Sequence, residues 1–447
     1  MKHQSYSIHN YQNIDQFSKF SKEQREAIEV VSKVFPFKTN NYVTDKLIDW
    51  DNFEDDPMFI LNFPQKDMLQ DNHYNQMLDL IRRGADKKEV YSLANDIRRQ
   101  LNPHPAGQES NVPFLNGEKL LGIQHKYKET VLFFPTQGQT CHAYCTFCFR
   151  WPQFTNMDEL KFAMKQSNLL TEYLENNQSV SDLLITGGDP MVMNINNLKA
   201  YIEPILNSHS HNLNTIRIGT KSLSFWPDRF INDKDSEDVL RLFEKVSKSG
   251  LQLALMAHIN HPRELSTKAV QEAIRRIRNT GVQIRTQSPL LNHINNKPEL
   301  WSRMWRHQVA LGLIPYYMFI ARDTGAQHYF GTSLKKSIQI FSRAYSQVSG
   351  LARTVRGPSM SADPGKVQIA GVTKIRNQKV FVLNFLQGRN PDWVNKPFFA
   401  EYDENAKWLD ELVPFEDDRF FFEDEFDEIK EKQDKKIVRI DNYKTTA

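Results

Sequence analysis

Residues 131–150 read VLFFPTQGQTCHAYCTFCFR. The run VLFF, 131–134, has the length and apolar character of a buried strand. Pro135 ends it, and an irregular polar stretch leads into Cys141, Cys145 and Cys148. Five further runs follow downstream: DLLITGG at 182–188, TIRIGT at 215–220, LQLALMAHI at 251–259, VQIRTQS at 282–288 and IPYYMFIA at 314–321. The stretches between them are long enough for crossover helices, the first being the cysteine loop followed by helical sequence near 157–175. Six such units predict an α/β fold with a parallel sheet, curled like part of a barrel. A doubly wound open sheet is the competing arrangement. In either, functional residues gather just beyond the carboxyl ends of the strands.

The residues at those ends are special or polar in every unit. The cysteines follow the first run and Gly187-Gly188-Asp189-Pro190 the second. Gly219, Thr220 and Lys221 end the third, and HINH, 258–261, the fourth. Gln287 closes the fifth, and the sixth runs into Arg322-Asp323. That regularity predicts an enzyme with one large site.

Outward from this core the pattern changes. Residues 21–35 form an amphipathic helical pattern with Ser21 as its cap. Helical patterns recur at 64–76 and 84–100, and a Pro-rich loop interrupts at 102–113. Residues 1–127 therefore read as a mainly helical N-terminal region, 128–350 as the barrel-like unit and 351–447 as a C-terminal extension. Within the extension, 371–400 is apolar-rich and expected to fold against the barrel. A charged, partly helical tail follows, which Phe420, Phe421 and Phe422 would anchor to the body or to another subunit.

Composition removes several function classes. The formal net charge is +3, from 57 basic and 54 acidic side chains, which gives no case for nucleic acid or an anionic membrane. No run of apolar residues is long enough to span a bilayer, and the first residues do not resemble a signal peptide. Three cysteines in 447 residues do not make a disulfide scaffold, so a reducing, cytoplasmic location is expected.

All three cysteines lie within eight residues of one loop, spaced CxxxCxxC. Four ligands would suit a structural zinc or a fully ligated cluster; three leave one position open. Three buried apolar thiols, or a zinc that adds His142, are the alternatives. In this setting the motif resembles that of the radical S-adenosylmethionine enzymes. The resemblance implies a partial TIM-like (β/α)6 barrel, a [4Fe–4S] cluster on Cys141, Cys145 and Cys148, and S-adenosylmethionine on the open iron. It also implies Phe147 beside the adenine and Gly187-Gly188-Asp189 as the motif that receives the amino group of S-adenosylmethionine. An external reductant such as flavodoxin or ferredoxin would supply the electron.

Residues 60–400 resemble the lysine 2,3-aminomutase family more closely. That likeness implies a PLP-dependent 2,3-aminomutase, an isomerase that moves the α-amino group of an L-amino acid to the β-carbon, and a homo-oligomer. It assigns pyridoxal phosphate to Lys366, in SADPGKVQIAG, and the substrate α-carboxylate to Arg150. Lys126 falls at a phosphate-binding position whose second basic residue is here Thr130. Tyr127 falls beside the cofactor, Gln287 near its phosphate and His258 on the S-adenosylmethionine side. The chain departs from the lysine enzyme where the distal ammonium is held. One expected aspartate position reads Arg322, with Asp323 next to it. The other has no aspartate, and Asp363 is displaced. Glutamate or another non-lysine amino acid is therefore the alternative substrate. The remaining alternatives are a radical enzyme of another class in which Lys366 is idle, and a non-catalytic metal scaffold.

Overall fold

The computed structural model describes residues 2–102, 109–155, 162–208 and 210–444. The Pro-rich loop at 102–113 and the helical sequence expected near 157–175 lie partly outside the described residues. Eleven strands form one mixed sheet: β1 Ile123–Tyr127, β2 Thr130–Phe133, β3 Asp182–Ile185, β4 Thr215–Thr220, β5 Gln252–His258, β6 Gln283–Leu290, β7 Ile314–Ile320, β8 Arg356–Ser361, β9 Gly365–Ile375, β10 Gln378–Gly388 and β11 Pro397–Glu401. Their spatial order follows the sequence without a switch point. β2 to β8 are parallel neighbours. β1 pairs antiparallel with β2, and β9, β10 and β11 extend the far edge antiparallel. The order is that of a singly wound sheet. It departs from the doubly wound alternative, whose strand order reverses at a central crevice. The six expected runs are β2 to β7, and β8 adds a parallel strand that its sequence, RGPSMS, does not announce.

The sheet is strongly curled. β1 and β8 stand seven neighbours apart, which on a flat sheet at about 4.8 Å per strand would separate them by roughly 34 Å. Yet Lys126 on β1 donates through Nζ to the carbonyl of Ala362, just past β8, at 2.6 Å. One face of the strands packs on the crossover helices. In Lys268–Asn279 the buried residues Val270, Ala273, Ile274 and Ile277 recur at the spacing of one helical face. The other face lines a cavity. On β4 the alternation is visible residue by residue: Ile216 and Ile218 are buried away from the cavity, while Arg217 and Gly219 reach it, joined at the strand end by Thr220.

The N-terminal helix Lys22–Val34 carries the expected cap. Ser21 Oγ accepts from Gln24 N, and Gln24 Oε1 accepts from Ser21 N at 2.8 Å. The pattern expected at 64–76 is realised later, as the helix Asp71–Arg82, because Lys66–Met68 takes a tighter 3₁₀ turn that buries Met68. One apolar core runs from Tyr6 in this region to Val355. A second spans Ile320 to Phe426 and seats the extension. Phe420 and Phe422 are buried in it, Phe422 lying 5.0 Å from Phe385, while Phe421 remains exposed. The charged tail beyond is the helix Glu423–Lys444. No helix among the described residues is long and apolar enough to cross a membrane.

Candidate active site

The inner face of the curled sheet encloses a cavity of about 350 Å³. Cys141, Cys145 and Cys148 reach it from the loop after β2, and Phe147 stands among them. Two glycines shape this end. A Cβ on Gly188 would lie 2.4 Å from the carbonyl oxygen of Thr140, and Gly187 has φ +147° with its Cα against the Gln139 side chain. The cysteine loop can therefore rest on this turn only while both positions lack side chains.

Burial drives the three thiols above their ordinary range, Cys145 to about 12 and Cys148 to about 11. Cys141 moves the same way. Bare thiolates would be costly here, whereas iron replaces the proton on each sulfur. The three thiols fit a cluster on that ground. Among the described residues no three His, Cys, Asp or Glu side chains are gathered for a single ion. His142, which a zinc site would need, is engaged elsewhere. Its Nδ1 lies 2.9 Å from Ser222 Oγ and its ring stacks on Trp226.

Lys366 opens β9 at the opposite side of the same cavity. Its Nζ is 3.3 Å from Gln387 Oε1 on β10, 4.9 Å from the centre of the Tyr317 ring and 5.8 Å from that of Tyr127. Burial, with Arg217 and Arg356 nearby, lowers its pKa to about 7. A lysine so placed is half unprotonated near neutrality, as a nucleophilic amine must be. His258 and Gln287 form one unit, the Gln287 amide lying 2.9 Å from His258 Nε2. Burial takes His258 down to about 3, so it is neutral and accepts that hydrogen bond.

The chain is 31% identical over 88% of its length to "Putative L-lysine 2,3-aminomutase" of Aquifex aeolicus, and the match covers 91% of that protein. The chain belongs to the lysine 2,3-aminomutase family. It is accordingly a radical S-adenosylmethionine enzyme and an isomerase, and membership implies the cluster and S-adenosylmethionine. "Glutamate 2,3-aminomutase" of Clostridioides difficile is 27% identical over 52% of this chain and 51% of its own length. "L-lysine 2,3-aminomutase" of Methanococcus maripaludis is 24% identical over 63% of this chain and 61% of its own length. No model of a protein family matches. The solved structure "Native anSMEcpe with bound AdoMet" superposes with a TM-score of 0.35 at 11% identity, over 48% of this chain and 59% of that one, a likeness that carries no argument.

Against the family's expected site, two residues stand apart from the cavity. The Asp189 carboxylate is buried and saturated by the chain itself. It accepts from Met191 N at 2.9 Å, Thr220 Oγ1 at 2.8 Å, Lys221 N at 2.8 Å, and Ser222 N and Oγ at 2.9 Å each. Its work is to knit the turns after β3 and β4, and only Gly187 and Gly188 face the cavity. Asp323 likewise does not line the cavity, whereas Arg322 does.

Arg150 and Arg322 flank the Phe149 ring, their guanidinium carbons 5.3 and 5.1 Å from its centre. Both are half-buried, and the enclosed Nη1 of Arg150 and Nε of Arg322 have no hydrogen-bond partner. Burial brings Arg150 down to about 10. Lys126, Arg217, Lys221 and Lys366 complete the basic lining, and among the described residues no aspartate or glutamate lines the cavity. Asp363 is held outside it by Arg389 at 2.6 Å and Lys430 at 3.6 Å. Such a cavity suits anionic occupants.

Sequence reasoning missed the supports of the cysteine loop. Lys38 Nζ donates to the Cys141 carbonyl at 2.7 Å, and Tyr144 N donates back to the Lys38 carbonyl at 2.8 Å. Thr146 donates to Leu61 O at 3.0 Å through its backbone and to Ile60 O at 2.7 Å through its hydroxyl. These contacts span long sequence separations and leave no local motif. Gln387, the partner of Lys366, was missed for the same reason.

Proposed function

We propose that this chain is a pyridoxal phosphate-dependent 2,3-aminomutase whose substrate is an L-amino acid with an acidic far end, glutamate being the simplest. One observation carries the reading: three thiols and Arg150 from one loop, and Lys366 from a distant part of the chain, share a single cavity that no carboxylate lines. When bound, the cluster and S-adenosylmethionine supply a carbon-centred radical, and pyridoxal phosphate supplies the carbonyl carbon that takes up the migrating nitrogen.

The chain's own groups do the positioning. Cys141, Cys145 and Cys148 bind the cluster, and the glycine pair leaves room beside it. Arg150 takes the substrate α-carboxylate through its guanidinium, which lines the cavity. Lys366 holds the cofactor between Tyr127 and Tyr317, near Lys126. Arg322 takes the far carboxylate. Aromatic walls and burial keep water from the reacting carbons. A lysine side chain would bring an ammonium to a cavity whose lining holds lysines and arginines but no carboxylate, at a large desolvation cost.

The reading includes a partial TIM-like barrel at 128–350, its curl supported by the Lys126–Ala362 contact between β1 and the end of β8, which flank those bounds. The helical region 1–127 covers it, and the extension 351–447 brings Lys366. An external reductant, a homo-oligomeric state and a cytoplasmic location belong to the same proposal. The test is anaerobic turnover of a panel of L-amino acids with S-adenosylmethionine, pyridoxal phosphate and dithionite, analysed for β-amino acids. Isomerisation of glutamate that stops without pyridoxal phosphate, and with any of the three cysteines changed to alanine, is expected. Cleavage of S-adenosylmethionine with no isomer from any amino acid would overturn the reading.

A further inference from the structure

The cavity is bipolar along the strands. The cysteines, Arg150 and Arg322 lie beyond the carboxyl ends. Lys366 lies toward the start of the strands, because its Nζ faces Tyr127, and Tyr127 pairs with Thr130, the first residue of β2. At that level Thr130, Asp182 and Thr215 are neighbours across β2, β3 and β4. Asp182 joins all three strands. It accepts from Thr130 Oγ1 at 3.1 Å, from Thr215 Oγ1 at 2.7 Å and from Arg217 Nε at 2.8 Å, with Arg217 Nη2 on its second oxygen.

Resting on the reading of Lys366 as the cofactor lysine, we propose that Arg217 is the anchor for the phosphate group of that cofactor, with Asp182 as its positioning partner. On pyridoxal phosphate the phosphate arm is attached to the ring carbon next to the one bearing the aldehyde. Its anchor must therefore sit about one ring's breadth from the lysine nitrogen. Among the cations of the lining Arg217 is the one fixed at this level: it shares the cavity with Lys366 and is held by Asp182, which also holds Thr130 at the start of β2. The two-point grip of Asp182 engages Nε and Nη2 and leaves Nη1 for a phosphate oxygen. A guanidinium fixed in this way recognises phosphate without losing further side-chain freedom. Arg217 is not sealed in the core, since it lines the cavity and keeps 18% of its side-chain surface open. Lys126 closes the site from β1, one Nζ hydrogen on Ala362 and the others available.

The experiment titrates the full-length apo chain with pyridoxal phosphate and, separately, with pyridoxal, which lacks the phosphate. The visible absorbance of the lysine adduct is the readout. Arg217→Ala is expected to weaken pyridoxal phosphate by about 10- to 100-fold, the loss of one charge-assisted contact, and to leave pyridoxal unchanged. Arg217→Lys should recover part of the difference. If Arg217→Ala keeps the wild-type preference for the phosphorylated form, or weakens both ligands equally, the arginine is only a structural ion pair and the inference fails. The reading of Lys366 fails separately, if the wild type gives no band or Lys366→Ala retains it.

Discussion

Replacing Arg322 by alanine tests the substrate assignment directly. Arg322 is half-buried on the cavity wall, and its Nε lacks a partner. One charge-assisted hydrogen bond contributes about 1.5–3 kcal/mol, and leaving the opposing charge buried and unpaired raises the loss to about 3–5 kcal/mol. At about 1.4 kcal/mol per factor of ten, kcat/KM for glutamate should fall roughly 10²- to 10³-fold. Lysine should lose nothing and gain slightly, because a repelling cation has gone. The assay is anaerobic steady-state kinetics on glutamate, glutamine, arginine and lysine, with Arg322→Lys as the charge-keeping control and Asp323→Ala alongside. The reasoning is refuted if lysine is the best substrate of the wild type and Asp323→Ala alone abolishes its turnover. Asp323 would then turn inward to hold the ammonium.

Four further outcomes are expected. The rate at which pyridoxal phosphate forms its adduct with Lys366 should rise with pH around 7 rather than near the ordinary lysine value of 10.5. The same depressed pKa makes the unfolded chain bind more protons between those values, so Lys366 destabilises the apo fold fully below pH 7 and progressively less as pH rises to 10.5; stopped-flow absorbance and denaturation across that window check both. Gly188→Ala forces a Cβ against the Thr140 carbonyl and should cost about 1–3 kcal/mol while lowering reconstituted iron content, read by melting and iron analysis; normal iron loading would count against the packing argument. Asp189→Ala strands several buried donors and should cost about 3 kcal/mol or more, measured by chemical denaturation; a neutral effect would mean that water replaces the carboxylate.

The sheet was legible in the sequence because each parallel strand is a short apolar run bounded by polar turns, and TIRIGT at 215–220 matches its strand residue for residue. Strand ends then located the cysteines, the glycine pair, His258 and Gln287. Three things were not legible. A residue's count from a motif does not fix which way it points, so Arg322 and Asp323 became distinguishable only on the folded chain. A motif residue can also serve the fold, as Asp189 does by absorbing the backbone donors after β4. And the partners of the cysteine loop and of Lys366 come from residues 38–61 and from Gln387, brought in by tertiary packing that no periodicity records.

The proposed shift away from a cationic substrate rests on two independent places, which makes it more than one altered side chain. At the end of β7 the inward residue is Arg322, while Asp323 does not line the cavity. Between β8 and β9 the nearby carboxylate, Asp363, is bound by Arg389, whose side chain is 3% exposed, and by Lys430 from the C-terminal helix. Freeing Asp363 for a substrate ammonium would leave Arg389 buried without its partner, a loss of about 3–5 kcal/mol that one new ion pair in the cavity would not clearly offset. A single loop adjustment at Asp323 therefore cannot rebuild a two-carboxylate clamp. Each place alone could be accommodated by a neutral substrate; together with the Arg322 guanidinium on the cavity wall they favour a carboxylate. The double change Arg322→Asp with Arg389→Leu relieves both obstacles and should move preference toward lysine further than either change alone, as a ratio of kcat/KM values. Strict additivity of the two single changes would show that the two places do not act on a common ligand.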